Sequence, residues 1–186
     1  MTGRPVTRRR ALTGLGAAAG AALISVTLPP LARAKGNIRD VRLQAGPTTA
    51  RLIGPAGPET AVWAYNGRTP GPVIRAMQGE RLRVHFKNTL EQPTTIHWHG
   101  IRLANAMDGV PYLTQAPVQP GETFTYEFDA FDAGTYWYHP HFNSSEQVAM
   151  GLAGALIIDE PAPPPVDRDV LWVIDDWRLT KNAAIA

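Results

Sequence analysis

Four of the five histidines of this chain occur as two short pairs. His97 and His99 lie in the sequence His-Trp-His-Gly, and His139 and His141 lie in the sequence Tyr-His-Pro-His. Both segments are typical of β-strands, in which residues i and i+2 project from one face roughly 7 Å apart, and neighbouring strands lie about 4.8 Å apart. Two such pairs on adjacent strands would bring four imidazoles together, so the pattern predicts a transition-metal site. The alternative is a hydrogen-bonded histidine lining without a metal.

The donor set narrows the choice of metal. The chain contains no cysteine, which excludes any copper or zinc site that needs a thiolate. Neutral imidazoles suit zinc, copper and nickel, and the affinity order favours copper(II) among these. Structural zinc sites tend to use cysteine, whereas imidazoles next to aromatic residues fit a redox copper site. The residues therefore favour copper over zinc.

Short strands must position these histidines. Frequent turn residues and short apolar runs predict an all-β sandwich or barrel. Residues 80–87 alternate strictly between apolar and polar, which places His85 on the solvent face as an exposed residue and not as a ligand. We expect Trp98 and Trp137 to point away from the imidazoles and to serve in packing. Further strands are predicted at residues 123–128, 135–139, 154–158 and, beyond a proline-rich linker, 169–179.

The first 34 residues are predicted to be an export signal. A basic stretch at Arg8, Arg9 and Arg10 precedes a weakly apolar run over residues 14–28 and an Ala-x-Ala end at residues 32–34. The adjacent arginines resemble a twin-arginine signal, which exports folded proteins to the periplasm. The alternative is a membrane anchor, but the run is barely long enough and is diluted by Gly, Ser and Thr. No second apolar run follows, so we expect a soluble mature chain without a membrane span.

Removal of this leader changes the charge of the chain. The leader holds five of the 18 basic residues and none of the 16 acidic ones, so residues 35–186 carry a net charge of about −3. The sequence pI of about 9.1 thus belongs to the precursor, and nothing indicates nucleic-acid binding. Without cysteine, an exported chain has no disulfides. We expect one cored domain at residues 35–160 and, at 161–186, a linker and the start of a further domain.

Five motifs, in this order, resemble the N-terminal cupredoxin domain of multicopper oxidases, the family that includes laccases, cuprous oxidases and ferroxidases. They lie at residues 66–72, 97–100, 107–111, 120–122 and 134–141. The resemblance covers residues 61–161 and implies a cupredoxin-like Greek-key β-sandwich with bound copper. Nitrite reductases share the sandwich but would need a type 1 cysteine and different histidine surroundings.

The resemblance also implies a role for each site residue. His97 would bind the type 2 copper, His99 and His139 would bind one copper of the type 3 pair, and His141 would bind the other. Asp108 lies where the family places a carboxylate near the type 2 copper that helps to deliver protons during dioxygen (O2) reduction. The alternative for Asp108 is a plain turn residue.

The chain departs from the family pattern in one large respect. The trinuclear cluster takes eight histidines, four of them from a C-terminal cupredoxin domain that also supplies the type 1 copper site with its cysteine, and this second set is missing here. Three explanations stay open: a fragment of a longer oxidase, a subunit completed by another chain, or a stand-alone periplasmic copper-binding or carrier module. The interrupted strand at residues 169–179 favours a truncated oxidase.

Overall fold

A computed structural model describes residues 37–186 of the chain. Within this range lie eight strands, a single turn of 3-10 helix at Asn105–Met107 and one short helix, α1, at Ser144–Ala149. The predicted export signal lies outside the described residues. The strands are β1 (Ile38–Ala50), β2 (Thr60–Tyr65), β3 (Ile74–Met77), β4 (Arg81–Asn88), β5 (His97–His99), β6 (Thr123–Asp129), β7 (Gly134–His139) and β8 (Gly154–Asp159).

The strands form two four-stranded sheets. The first has the order β2-β1-β4-β6, and the second has the order β3-β8-β7-β5. One pair in each sheet is parallel, β1 with β4 and β3 with β8, and the remaining pairs are antiparallel. The two histidine-bearing strands are therefore neighbours at one edge of the second sheet.

The alternating sequence of β4 shows how the two sheets share one core. Leu82, Val84 and Phe86 are almost fully buried, while the residues between them face solvent. These side chains belong to the same apolar cluster as Tyr138 and Leu156 of the second sheet. Removing this apolar surface from water is the main force that holds two such sheets face to face. The prediction of an all-β, cupredoxin-like sandwich is confirmed.

Two features of the strand prediction need correction. Strands β1, β2 and β3 were not predicted. The strand expected at residues 169–179 does not form, because no neighbouring strand in the described part of the chain pairs with residues 169–178. Several of its apolar side chains point into solvent, and Trp172 and Ile174 are 81% and 90% exposed.

Among residues 37–186, no helix has the length and apolar character needed to cross a membrane.

Candidate metal centre

The register of β5 and β7 places three imidazoles on one face. His97 lies opposite His139, and His99 lies opposite Trp137. Residues directly opposite each other in an antiparallel pair project to the same side of the sheet. His141 follows two residues after β7 ends. The ring centroid of His97 lies 5.3–5.5 Å from those of His99, His139 and His141, so the four predicted residues come together.

The spacing of the ring nitrogens fits a shared ion. Nδ1 of His99 lies 3.3 Å from Nε2 of His139. Two nitrogens bound to one ion at 2.0–2.1 Å with tetrahedral geometry lie about 3.3 Å apart. With one nitrogen of His97 included, the three candidate ligand atoms lie within 4.8 Å of one another. His141 is outside this group, and its ring centroid is 6.4 Å from that of His139.

Two backbone carbonyls fix the orientation of the His97 and His139 rings. Nδ1–H of His97 donates to the carbonyl of Asp108 at 2.8 Å, and Nδ1–H of His139 donates to the carbonyl of Pro140 at 2.8 Å. A carbonyl can only accept, so Nδ1 carries a proton in both rings, and Nε2 is the nitrogen left to bind a metal ion. Metal-bound histidines are commonly held in this way, by a hydrogen bond from the nitrogen that does not bind the metal.

The environment of His139 favours a neutral ring. His139 is 8% exposed, and this burial is the main cause that lowers its pKa to about 4. The hydrogen bond to the Pro140 carbonyl raises the pKa, and the other three imidazoles lower it further. A neutral imidazole is the form that binds a metal ion. His139 is therefore available as a ligand at neutral pH.

Trp137 does not point away from the imidazoles, so that expectation was wrong. Its ring stacks on His139 with centroids 4.0 Å apart and an angle of 22° between the planes, and its centroid is 5.0 Å from that of His99. The reason is the period of a strand, since residues 137 and 139 project to the same face. Trp98 projects to the other face and is fully buried in the core, as expected.

The imidazole face is open to solvent. His99 and His141 are exposed, and His97 and His139 form the inner part of the cluster. Exposed apolar side chains lie beside this face: Tyr112 and Leu113 are 81% and 77% exposed, and the Tyr112 ring is 6.5 Å from that of Phe142, the neighbour of His141. An open ligand set beside exposed apolar residues is typical of a contact surface.

Asp108 lies at the cluster, but its closest contact is made by its backbone. The carboxylate Oδ1 is 3.3 Å from Nδ1 of His97, further than the carbonyl of the same residue. The sequence indicated that the Asp108 carboxylate lies near the histidines, but it could not indicate that the carbonyl of the same residue makes the shorter contact. His85, in contrast, lies outside the cluster: it is half-exposed and its Nε2 is 3.0 Å from a carboxylate oxygen of Asp40. The prediction that His85 is a solvent-facing residue is confirmed.

Gly109 allows the Asp108 carbonyl to approach His97. Its φ is +76°, and a Cβ atom at this position would lie 1.8 Å from the carbonyl oxygen of Ile96, which directly precedes His97. The backbone of the loop at residue 109 thus lies directly against the backbone that leads into β5. Any side chain at residue 109 would push the loop away from β5.

We expect Gly109→Ala to reduce the free energy of unfolding by about 3 kcal/mol or more, since a left-handed φ costs a residue with a Cβ about 1–2 kcal/mol and overpacking about 1–3 kcal/mol. The matched control is Gly121→Ala. Gly121 has a φ of +82° but open space around its Cβ position, so this variant should lose only about 1–2 kcal/mol. Urea unfolding measures both, and equal losses would contradict the packing argument.

Comparison with known proteins identifies the family. The sequence profile described as multicopper oxidase matches residues 48–163. Laccase-2 of Botryotinia fuckeliana is 46% identical over 129 residues, which cover 67% of this chain and 22% of the relative. Copper resistance protein A of Escherichia coli is 39% identical over 155 residues, which cover 82% of this chain and 24% of the relative. A crystal structure of a multi-copper oxidase from Pseudomonas thermotolerans matches with a TM-score of 0.77 and 44% identity, over 81% of this chain and 36% of that one.

These matches span only part of each relative. The chain covers less than a quarter of the two curated relatives and about a third of the crystallised oxidase. The matched range nevertheless takes up more than half of this chain and contains both histidine pairs and Asp108. The chain belongs to the multicopper oxidase family.

Proposed function

We propose that this chain is the N-terminal copper-binding domain of an exported multicopper oxidase. It supplies half of the histidine ligands of a type 2/type 3 trinuclear copper cluster that reduces dioxygen to water. The observation that carries this proposal is the convergence of four imidazoles on one open face. Copper in such a cluster supplies one-electron redox steps, and the residues described here hold the metal and move protons near it.

The ligand assignment follows the family resemblance, and the contacts among the imidazoles support one part of it. His99 and His139 share one type 3 copper, in line with the 3.3 Å between their nitrogens. His141, which lies apart from the three-nitrogen group, binds the second type 3 copper. His97, held by the Asp108 carbonyl, binds the type 2 copper through Nε2. An all-imidazole set suits copper, and the family to which the chain belongs is a copper family.

Asp108 delivers protons in this proposal. Reduction of one dioxygen to two waters takes four electrons and four protons, so a proton donor near the metal is needed. The Asp108 side chain is 32% exposed and lies 3.3 Å from His97. It can therefore exchange protons with solvent while it remains next to a ligand. It acts as a proton carrier and not as a ligand.

A second cupredoxin domain completes the site. Four more histidines and the type 1 cysteine must come from outside this chain, which has no cysteine. The exposed imidazoles of His99 and His141 and the apolar side chains of Tyr112 and Leu113 are suited to contact such a domain. The domain belongs either to a longer form of this polypeptide or to a complementing chain.

The alternative, a stand-alone copper carrier, has less support. A carrier would be expected to place methionine sulfur near the imidazoles. The sulfur of Met107 instead accepts a hydrogen bond from the backbone N–H of Glu127, on a strand of the other sheet.

The test of the proposal is a Cu(II) titration of the purified chain, followed by electron paramagnetic resonance. We expect nitrogen couplings from several imidazoles, together with no intense blue colour, because the chain lacks the thiolate that causes it. A spectrum of copper with oxygen ligands only would overturn the proposal.

Export by the twin-arginine pathway is part of the same proposal. Replacement of both Arg8 and Arg9 by Lys keeps the charge and removes the adjacent arginines that the receptor reads. We expect the variant to stay in the cytoplasm, whereas the parent is cleaved after Ala34 and exported to the periplasm. Cell fractionation measures this, and unchanged export of the variant would exclude the pathway.

A further inference from the structure

Strand β5 carries two of the four imidazoles but has little support from its sheet. It is three residues long and lies at the edge, where it pairs with β7 alone. The buried ring of Trp98 anchors its inner face. Edge strands open more easily than central ones, and β5 is held by only three residue pairs with β7. The start of β5 therefore depends on contacts outside the sheet.

A buried glutamine on α1 supplies such contacts. Gln147 is fully buried. Its Oε1 accepts a hydrogen bond from the Thr94 hydroxyl at 2.6 Å, and its Nε2 donates to the Pro93 carbonyl at 2.8 Å and to Oε1 of Gln92 at 3.0 Å. Both the N–H groups and the oxygen of the side-chain amide thus form hydrogen bonds with residues 92–94, in the segment that leads directly into β5.

The same segment also contacts the second histidine pair. The backbone N–H of His141 donates to the hydroxyl of Thr95 at 3.2 Å, and Thr95 is fully buried. Helix α1 begins three residues after His141. The chain before His97 and the chain after His141 are therefore joined by side-chain hydrogen bonds, in addition to the pairing of β5 with β7.

We propose that Gln147 is a positioning residue for the imidazole cluster. It fixes the distance between the two histidine pairs because its hydrogen bonds connect the segment before β5 to the helix that follows His141. The inference deepens the proposed function and rests on it only for the identity of the metal. Removal of the amide leaves the buried Thr94 hydroxyl and the partly buried Pro93 carbonyl without this partner. We expect the backbone of this segment to move, because a buried polar group without a partner costs free energy.

The test uses Gln147→Met in the full chain, since Met has a similar length and no amide. We expect a roughly tenfold loss of Cu(II) affinity, the range seen when a residue that supports a ligand is lost, and altered nitrogen couplings in the paramagnetic resonance spectrum. In the metal-free protein we expect a shifted or doubled amide signal of His141 in the nuclear magnetic resonance spectrum. Thr94→Val should cause the same changes. The double variant Gln147→Met, Thr94→Val should show effects little larger than those of either single variant, because both remove the same hydrogen bond.

The matched control is Thr60→Val on β2, in the other sheet. This change removes one buried hydrogen bond, from the Thr60 hydroxyl to the Ala183 carbonyl at 2.7 Å. It should lower stability without changing copper affinity or the His141 signal.

Wild-type affinity, couplings and His141 signal in Gln147→Met would overturn the inference. If that variant does not fold, Thr94→Val decides by the same measurements. If the parent binds no copper, the proposed function fails, and the His141 signal of the metal-free variants still decides whether Gln147 positions the cluster.

Discussion

The copper-loaded chain alone is expected to show no four-electron oxidase activity. Reduction of dioxygen to water needs a site where electrons enter and a complete cluster that delivers four of them. The absence of cysteine removes the first, and in the proposed cluster the four imidazoles are only half of the ligands that the second needs. Oxygen uptake with a phenolic or cuprous substrate should therefore stay at the level of free copper. Robust uptake by residues 35–186 alone would refute the half-site proposal.

Addition of a C-terminal cupredoxin domain with the other four histidines and the type 1 cysteine should restore uptake, because ligand sites are often assembled between domains. In the restored complex, Asp108→Asn should slow oxygen uptake by about 100-fold or more and leave the copper content unchanged, since it removes the proposed proton carrier and no proposed ligand. Loss of copper in this variant would instead indicate that the carboxylate has a structural role.

Replacement of His97 and His139 by Ala is expected to lower Cu(II) affinity by more than about 100-fold. Loss of a residue that only supports a ligand already costs about 10–100-fold, and this double variant removes two proposed ligands on adjacent strands. His139 is also the buried ring of the cluster, and its burial lowers its pKa, which favours the neutral form that binds a metal ion. Competition with a chelator of known affinity measures the effect.

The control for that experiment is His85→Ala. It removes a half-exposed histidine bound to Asp40 on the other sheet, so copper affinity should stay at the parent value. Binding that falls equally in both variants would indicate nonspecific surface copper. Binding that survives in the double variant would contradict the ligand assignment.

The sequence was sufficient to predict the face on which the imidazoles meet. The period of two in a strand places His97 with His99, and the alternation in residues 80–87 identifies the core face of β4. Both follow from local geometry, which depends on residue spacing alone. The same period places Trp137 on the face of His139, where its ring stacks on the imidazole, contrary to the expectation that it points away.

Other features depend on contacts between distant segments and could not be predicted locally. The strand expected at residues 169–179 has a suitable sequence, but a strand is stable only beside a partner, and the described residues offer none to residues 169–178. Strand β1 contains Gly46 and Pro47 and has a mixed pattern, and its register is set by β2 and β4. The carbonyls that hold His97 and His139 carry no sequence signal at all, because every residue has one.

The edge position of β5 has a consequence for the dynamics of the site. Strand β7 lies between β8 and β5, whereas β5 has one neighbour, so we expect lower local stability around His97 and His99 than around His139. Opening of β5 would separate His97 and His99 from His139 while the central strands stay folded. Copper could then enter or leave by a fluctuation far smaller than global unfolding. Amide hydrogen exchange should accordingly be faster in β5 than in β7 without metal, and bound copper should slow both to a common rate.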